Sequence, residues 1–168
     1  MKPVVNVWTD GSSLGNPGPS GRAALVKRGS DSYWLTSGEP LSTNNAQELK
    51  ALIMAAYSIK TSECTVAFHT DSINAIGWLY GWNRRAKCPD KAKKFETRTP
   101  HIAELVKEFE RVVAHAGYEI CFVRDEGSSE LVECDKRARQ EASMQLEQAS
   151  RRAADQSAFV KEATNDRI

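Results

Sequence analysis

The chain has 168 residues, 40% apolar and 27% charged, which suits one globular domain with a real core. A net charge of +1 gives no overall pull toward a polyanion, and no run is long and apolar enough to span a bilayer. Cys64, Cys88, Cys121 and Cys134 form no CxxC pair and no Cys/His cluster, which argues against zinc and for reduced, mostly buried thiols, a chance disulfide being the alternative.

Met1-Lys2-Pro3 leads straight into an apolar run, so no signal peptide and a cytoplasmic location are expected. Val4 to Thr9 alternates and is β-branched, the pattern of a strand, and it ends on Asp10 before a glycine- and proline-rich turn. Arg22–Arg28 and Ser32–Ser37 flank the turn residues Gly29-Ser30-Asp31 and read as a hairpin. Ser42-Thr43-Asn44-Asn45 offers N-cap side chains for a helix whose buried face is Leu49, Leu52, Ile53, Ala56 and Ile59. Thr65–Phe68 is a fourth strand, ending at Thr70-Asp71-Ser72, and Ile73–Trp82 reads as one helix or two short ones.

Seven basic residues then fall between Arg84 and Arg98 against two acids, Asp90 and Glu96, a local net charge of +5. Thr99-Pro100 starts a helix, Ile102, Leu105, Val106, Phe109, Val112 and Val113 give its period, and Gly117 closes it. Tyr118–Val123 is a fifth strand, and a helical pattern runs from Leu131 onward. Beyond about Met144 it thins to alanine, glutamine and charge, so residues 144–168 read as an exposed, fraying helix outside a core domain of residues 1–143. The order β-β-β-α-β-α-α-β-α predicts a mixed sheet covered by helices, an α/β domain.

Three carboxylates take comparable places. Asp10 and Asp71 each end a strand, and parallel neighbours would bring them out together at one sheet edge. Glu48 is expected in the first turn of the helix before the strand that carries Asp71. Asp135 is expected one turn into the last helix. Taken singly, Asp10 is a turn-former, Glu48 a capping-box partner of Asn45, Asp71 an N-cap, and Asp135 a solvated charge. Taken together, four acids in one cleft repel one another unless cations bind, and hard oxygen donors favour Mg²⁺ or Mn²⁺. Two such ions make the usual clamp for attack on a phosphodiester.

Thr9-Asp10-Gly11-Ser12 with Gly15-Asn16-Pro17-Gly18, Thr43-Asn44-Asn45-x-x-Glu48-Leu49, Thr70-Asp71-Ser72 and Cys134-Asp135 together resemble type 1 ribonuclease H of the bacterial kind, over residues 4–143. The resemblance implies a ribonuclease H-like fold, a five-stranded mixed sheet with helices on both faces. It implies an endonuclease that cuts the RNA strand of RNA–DNA hybrids and leaves 5′-phosphate and 3′-hydroxyl ends; a monomer is expected. It implies two Mg²⁺ ions, with Mn²⁺ as a substitute. Asp10 would bridge both ions, Glu48 and Asp71 would hold one, and Asp135 the other.

Glu48 and the backbone at Gly11 and Ser12 would meet ribose 2′-hydroxyls. Asn16, Asn44 and Asn45 would meet the minor groove, and Thr43 a DNA phosphate. The basic segment (Trp82, Arg84, Arg85, Lys87, Lys91, Lys93 and Lys94) resembles the family's protrusion, whose cations grip the DNA backbone. One departure stands out. Many relatives carry a histidine in the loop before the last aspartate; here Arg124–Ser129 has none, and Asp125 or Glu126 takes its place. Slower turnover, or an altered pH and metal dependence, is expected. A non-catalytic hybrid-binding module and a transposase- or integrase-like strand-transferase core are the competing readings.

Overall fold

The parallel neighbours expected for the first and fourth strands are present at the centre of a five-stranded sheet. The computed structural model describes residues 2–86 and 89–165, with side chains described outside 82–89 and 157–165. Strands β1 (Val4–Ser13), β2 (Gly18–Arg28) and β3 (Asp31–Ser42) form an antiparallel meander. β4 (Thr65–Thr70) and β5 (Glu119–Arg124) continue the sheet in parallel, giving the order β3-β2-β1-β4-β5.

Helices cover both faces. α1 (Asn44–Ser58), α2 (Ile73–Ala86) and α4 (Pro100–Ala116) close over one, where Val7, Leu49, Leu52, Phe68, Leu79 and Phe109 form the main core. α5 (Ser129–Asn165) lies on the other, where Cys134 and Ala138 meet Ala23 and Leu25 beneath Trp8 and Trp34. No helix among the described residues is long and apolar enough to cross a membrane.

Four expectations need correction. β2 and β3 run several residues beyond the expected hairpin, to Gly18 and Ser42. Gly21, within the extended β2, is a place of close approach: a Cβ there would lie 2.3 Å from the Ala138 carbonyl oxygen, so only glycine lets α5 pack this close. From Pro89 the basic segment is helical, α3 (Pro89–Arg98), so the described residues hold three helices between β4 and β5 rather than two. Its few apolar residues hide the helical period.

The last helix begins at Ser129, where the Ser128 hydroxyl accepts the Leu131 N–H at 3.2 Å, and runs unbroken past Met144. It stays against the sheet as far as Gln145, whose side chain covers Gly38; residues 146–156 are exposed. Of the cysteines, Cys64 and Cys134 are buried, but Cys121 is exposed on β5, and these three are free thiols. Cys88 lies outside the described residues.

Candidate active site

The β1–β4 ladder ends at the pair Trp8↔His69, whose rings stack with centroids 4.6 Å apart. Asp10 and Asp71 follow that pair by two residues each and emerge together where the strands part. Asp10 is not at a strand tip, because β1 stays paired with β2 as far as Ser13↔Ser20. Glu48 comes from above, in the second turn of α1 rather than the first. Gly11 makes this possible. A Cβ there would sit 2.4 Å from the Glu48 backbone nitrogen, so the glycine lets α1 rest directly on β1.

One carboxylate oxygen from each of Asp10, Glu48 and Asp71 lies within 4.8 Å of the others. Asp10 and Glu48 are buried and Asp71 is exposed. Burial pushes the Asp10 carboxyl up to about 7, with the Asp71 and Asp135 charges adding to the rise and the Gly11 N–H at 2.8 Å opposing it. Burial also lifts Glu48 well above the carboxylate range, helped by the charges of Asp10 and Asp71. Glu48 Oε2 is buried and accepts no hydrogen bond. A buried carboxylate oxygen without a donor, beside two further carboxylates, fits a divalent cation bound by hard oxygen ligands.

The capping explanations of Glu48 and Asp71 fail. Thr43, not Asn45, caps α1: its hydroxyl accepts the Ala46 N–H at 3.3 Å. Asn45 instead takes a hydrogen bond from Asn74 at 3.4 Å, so Glu48 closes no capping box with it. Ser72 rather than Asp71 caps α2, accepting the Ala75 N–H at 3.3 Å.

Asp135 stands apart. It is the seventh residue of α5, nearly two turns in rather than one, and lines the same cleft of about 550 Å³. Its Oδ1 accepts from Arg139 Nε at 2.7 Å, so the structure brings three of the four predicted acids into one cluster and leaves the fourth ion-paired at the cleft wall.

Among the expected substrate contacts, Gly11, Ser12 and Asn44 line the cleft. Asn16 is tied to it, its Oδ1 accepting the Asn44 N–H at 3.2 Å. Lys91, Lys93 and Lys94 are exposed along α3. The side chains of Trp82, Arg84 and Arg85, and all of Lys87, lie outside the described residues.

In the loop without histidine, Asp125 turns away from the cleft. It accepts from Trp8 Nε1 at 3.1 Å, from the Gly127 N–H at 3.2 Å and from the Ser128 N–H at 3.0 Å. Glu126 faces the cleft, paired with Arg124. Sequence reasoning missed Arg124 and Arg139, the cleft's two guanidiniums. The i,i+4 spacing of Asp135 and Arg139 was the available signal for one of them.

A five-stranded mixed sheet that converges three carboxylates where its central parallel strands part is the ribonuclease H-like architecture. The chain belongs to the RNase H family, whose model matches residues 2–143. Ribonuclease H of Bradyrhizobium sp. (strain ORS 278) is 44% identical over 94 residues, covering 53% of this chain and 60% of that protein. Ribonuclease H of Xanthomonas oryzae pv. oryzae (strain MAFF 311018) is 46% identical over 85 residues, covering 48% and 56%. The chain thus spans less than two thirds of the length of these curated relatives. In fold it is similar to the N-terminal RNase H domain of rv2228c from Mycobacterium tuberculosis, with TM-score 0.70 and 19% identity over 88% of this chain and 99% of that one. LC11-RNase H1 in complex with RNA/DNA hybrid has TM-score 0.69 and 18% identity, over 84% and 99%.

Proposed function

We propose that this chain is a metal-dependent endoribonuclease that hydrolyses the RNA strand of RNA–DNA hybrids, leaving 5′-phosphate and 3′-hydroxyl ends. The observation that carries this reading is the Asp10–Glu48–Asp71 cluster, with its buried, unpartnered Glu48 oxygen, opening into a cleft edged by Ser12 and Asn44. Asp10, Glu48 and Asp71 would hold one divalent cation, Mg²⁺ or in its place Mn²⁺, and Asp10 with Asp135 a second. Bound there, such cations supply a Lewis acid for the phosphate and lower the pKa of a water.

The other side chains bind and orient. The Gly11–Ser12 backbone and Glu48 face the ribose 2′-hydroxyls, the groups that separate RNA from DNA. Asn16, Asn44 and Asn45 read the minor groove. The Thr43 hydroxyl accepts the Ala46 N–H, which leaves its own hydrogen to donate to a phosphate. Trp82, Arg84, Arg85, Lys87, Lys91, Lys93 and Lys94 grip the DNA strand, the cations by charge. Glu126 stands where relatives carry a histidine, and it faces the cleft paired with Arg124. Residues 1–143 form the catalytic unit, residues 144–168 are an extension of it, and the chain acts as a cytoplasmic monomer.

The test is cleavage of one labelled strand in matched RNA–DNA, RNA–RNA and DNA–DNA duplexes, with Mg²⁺, with Mn²⁺ and with chelator. The expected result is cleavage of RNA in the hybrid alone, only with metal, and falling by about a thousandfold or more in Asp10→Asn. Tight hybrid binding without cleavage would replace the nuclease with a binding module.

A further inference from the structure

Behind the carboxylate cluster lies a charged network that cleavage does not use. Arg22 stands on β2 directly opposite Gly11 in the β1–β2 ladder. Its Nη1 donates to Gln47 Oε1 at 3.0 Å and to Glu39 Oε1 at 2.7 Å, and its Nη2 donates to Ser37 Oγ at 3.0 Å. Lys50 Nζ donates to the other Glu39 oxygen at 2.6 Å. Burial raises the Glu39 pKa, but the hydrogen bonds from Lys50 and Arg22 outweigh it and hold the carboxylate below its ordinary range. The side chains of Arg22, Glu39 and Lys50 are 16%, 28% and 20% exposed, so the network is largely withdrawn from solvent and from any substrate.

Gln47 is fully buried, and its Nε2 makes no hydrogen bond. Arg22 Nε is likewise buried and unpartnered. Two cations and one carboxylate held this way cost desolvation that apolar side chains of similar volume avoid. The arrangement is a poor source of stability and a good means of fixing one geometry. The geometry it fixes is next to the site. Gln47 immediately precedes Glu48, and a Cβ on Gly11 would touch both the Gln47 carbonyl carbon, at 2.5 Å, and the Glu48 nitrogen.

We propose that Arg22 is a positioning residue for the cation site: by holding Gln47 against the sheet it sets the seat of α1 on Gly11 and so places the Glu48 carboxylate beside Asp10. The inference rests on the reading of Asp10, Glu48 and Asp71 as cation ligands. Apolar packing at Arg22 would keep the helix on the sheet but not its register to within the few tenths of an ångström that a shared cation demands.

The experiment compares the full-length chain with Arg22→Met, Arg22→Lys and Gln47→Leu. It measures Mn²⁺ affinity by calorimetric titration well below each variant's unfolding midpoint, thermal stability, and kcat and KM on the hybrid. Arg22→Met should weaken Mn²⁺ binding by about tenfold, the usual effect of losing an outer-shell partner, and lower kcat at limiting metal with KM for the hybrid unchanged. Arg22→Lys, which keeps one donor to Gln47, should recover part of that loss. Gln47→Leu guards against a variant that merely fails to fold. It removes a buried amide with an unpaired end, so its stability should match or exceed the parent's while its Mn²⁺ affinity falls. Wild-type Mn²⁺ affinity in Gln47→Leu, or in Arg22→Met with only the melting point lowered, would overturn the proposal and leave the network structural. A parent chain that binds Mn²⁺ but cuts no hybrid would end the functional reading and leave this inference to be decided by the titrations. A parent that binds no Mn²⁺ would end both.

Discussion

The two walls of the cleft are built on opposite terms. The wall of β1 and α1 holds Asp10 and Glu48 nearly out of water, pressed together through Gly11, with one Glu48 oxygen lacking any partner. The wall of α5 and the preceding loop holds Asp135 and Glu126 at the surface, each answered by its own guanidinium, Arg139 and Arg124. The first wall stores an electrostatic conflict that a bound cation would resolve. The second has already resolved its charges, with exposed pairs that are cheap to exchange. The same residue type therefore has two energetic roles, decided by burial and by which charges stand beside it.

The buried wall should show itself without any substrate. An Asp10 carboxyl raised to about 7 binds its proton in the folded chain across a range where the unfolded chain, with a pKa near 3.8, has lost it. The unfolded state then binds fewer protons, so metal-free stability should fall as pH rises from about 4 through about 7, by on the order of a few kcal/mol. Urea denaturation with chelator at several pH values measures this. Asp10→Asn should remove the Asp10 share of the fall, leaving that of the buried Glu48, and be the more stable chain at pH 8, the two converging near pH 4. Mg²⁺ should restore the parent selectively. Parallel pH curves for parent and variant would mean that the wall is not strained.

A smaller blow to the same wall is steric. Gly11→Ala places a methyl 2.4 Å from the Glu48 nitrogen, in backbone that cannot yield as a side-chain tip would. A loss of about 2–3 kcal/mol in stability is expected, since α1 must lift from β1. Mn²⁺ affinity should fall with it, because lifting α1 carries Glu48 away from Asp10. Denaturant titration alongside metal titration checks both, and a destabilised variant with unchanged Mn²⁺ affinity would show that Glu48 reaches the site without that contact.

The buried wall was the more legible in the sequence, for a physical reason. Asp10 and Glu48 are placed by an alternating strand and by a helix start at Ser42–Asn45, local signals that survive in one dimension, although Gly11 read only as part of a turn and not as the seat of α1. The offsets were errors of where elements begin: Glu48 sits in the second turn because α1 starts as early as Asn44, capped by Thr43 rather than Asn45, and Asp135 sits deeper because Ser128 starts α5 early. The exposed wall was less legible because its partners are set by side-chain reach rather than by backbone. Nothing in Arg124-Asp125-Glu126 says that Asp125 turns inward to Trp8 while Glu126 turns out to Arg124. The Arg22–Glu39–Lys50–Gln47 network was invisible for the same reason, since it joins two strands and a helix over separations that no spacing rule links.

The exposed wall should respond least, and in the opposite direction. Arg139 holds Asp135 by a single i,i+4 pair whose partners are 67% and 43% exposed, the weak class of ion pair. A cation that takes Asp135 as a ligand must first displace that guanidinium. Arg139→Gln removes the competitor while leaving the carboxylate, so the Mg²⁺ concentration for half-maximal cleavage should drop by about two- to fivefold at low salt. The advantage should shrink as salt screens the pair. Stability should change little, which separates this effect from those at Gly11 and Asp10. If the variant instead needs more Mg²⁺, Arg139 does not compete for Asp135 but orients it, and the exposed wall is as preorganised as the buried one.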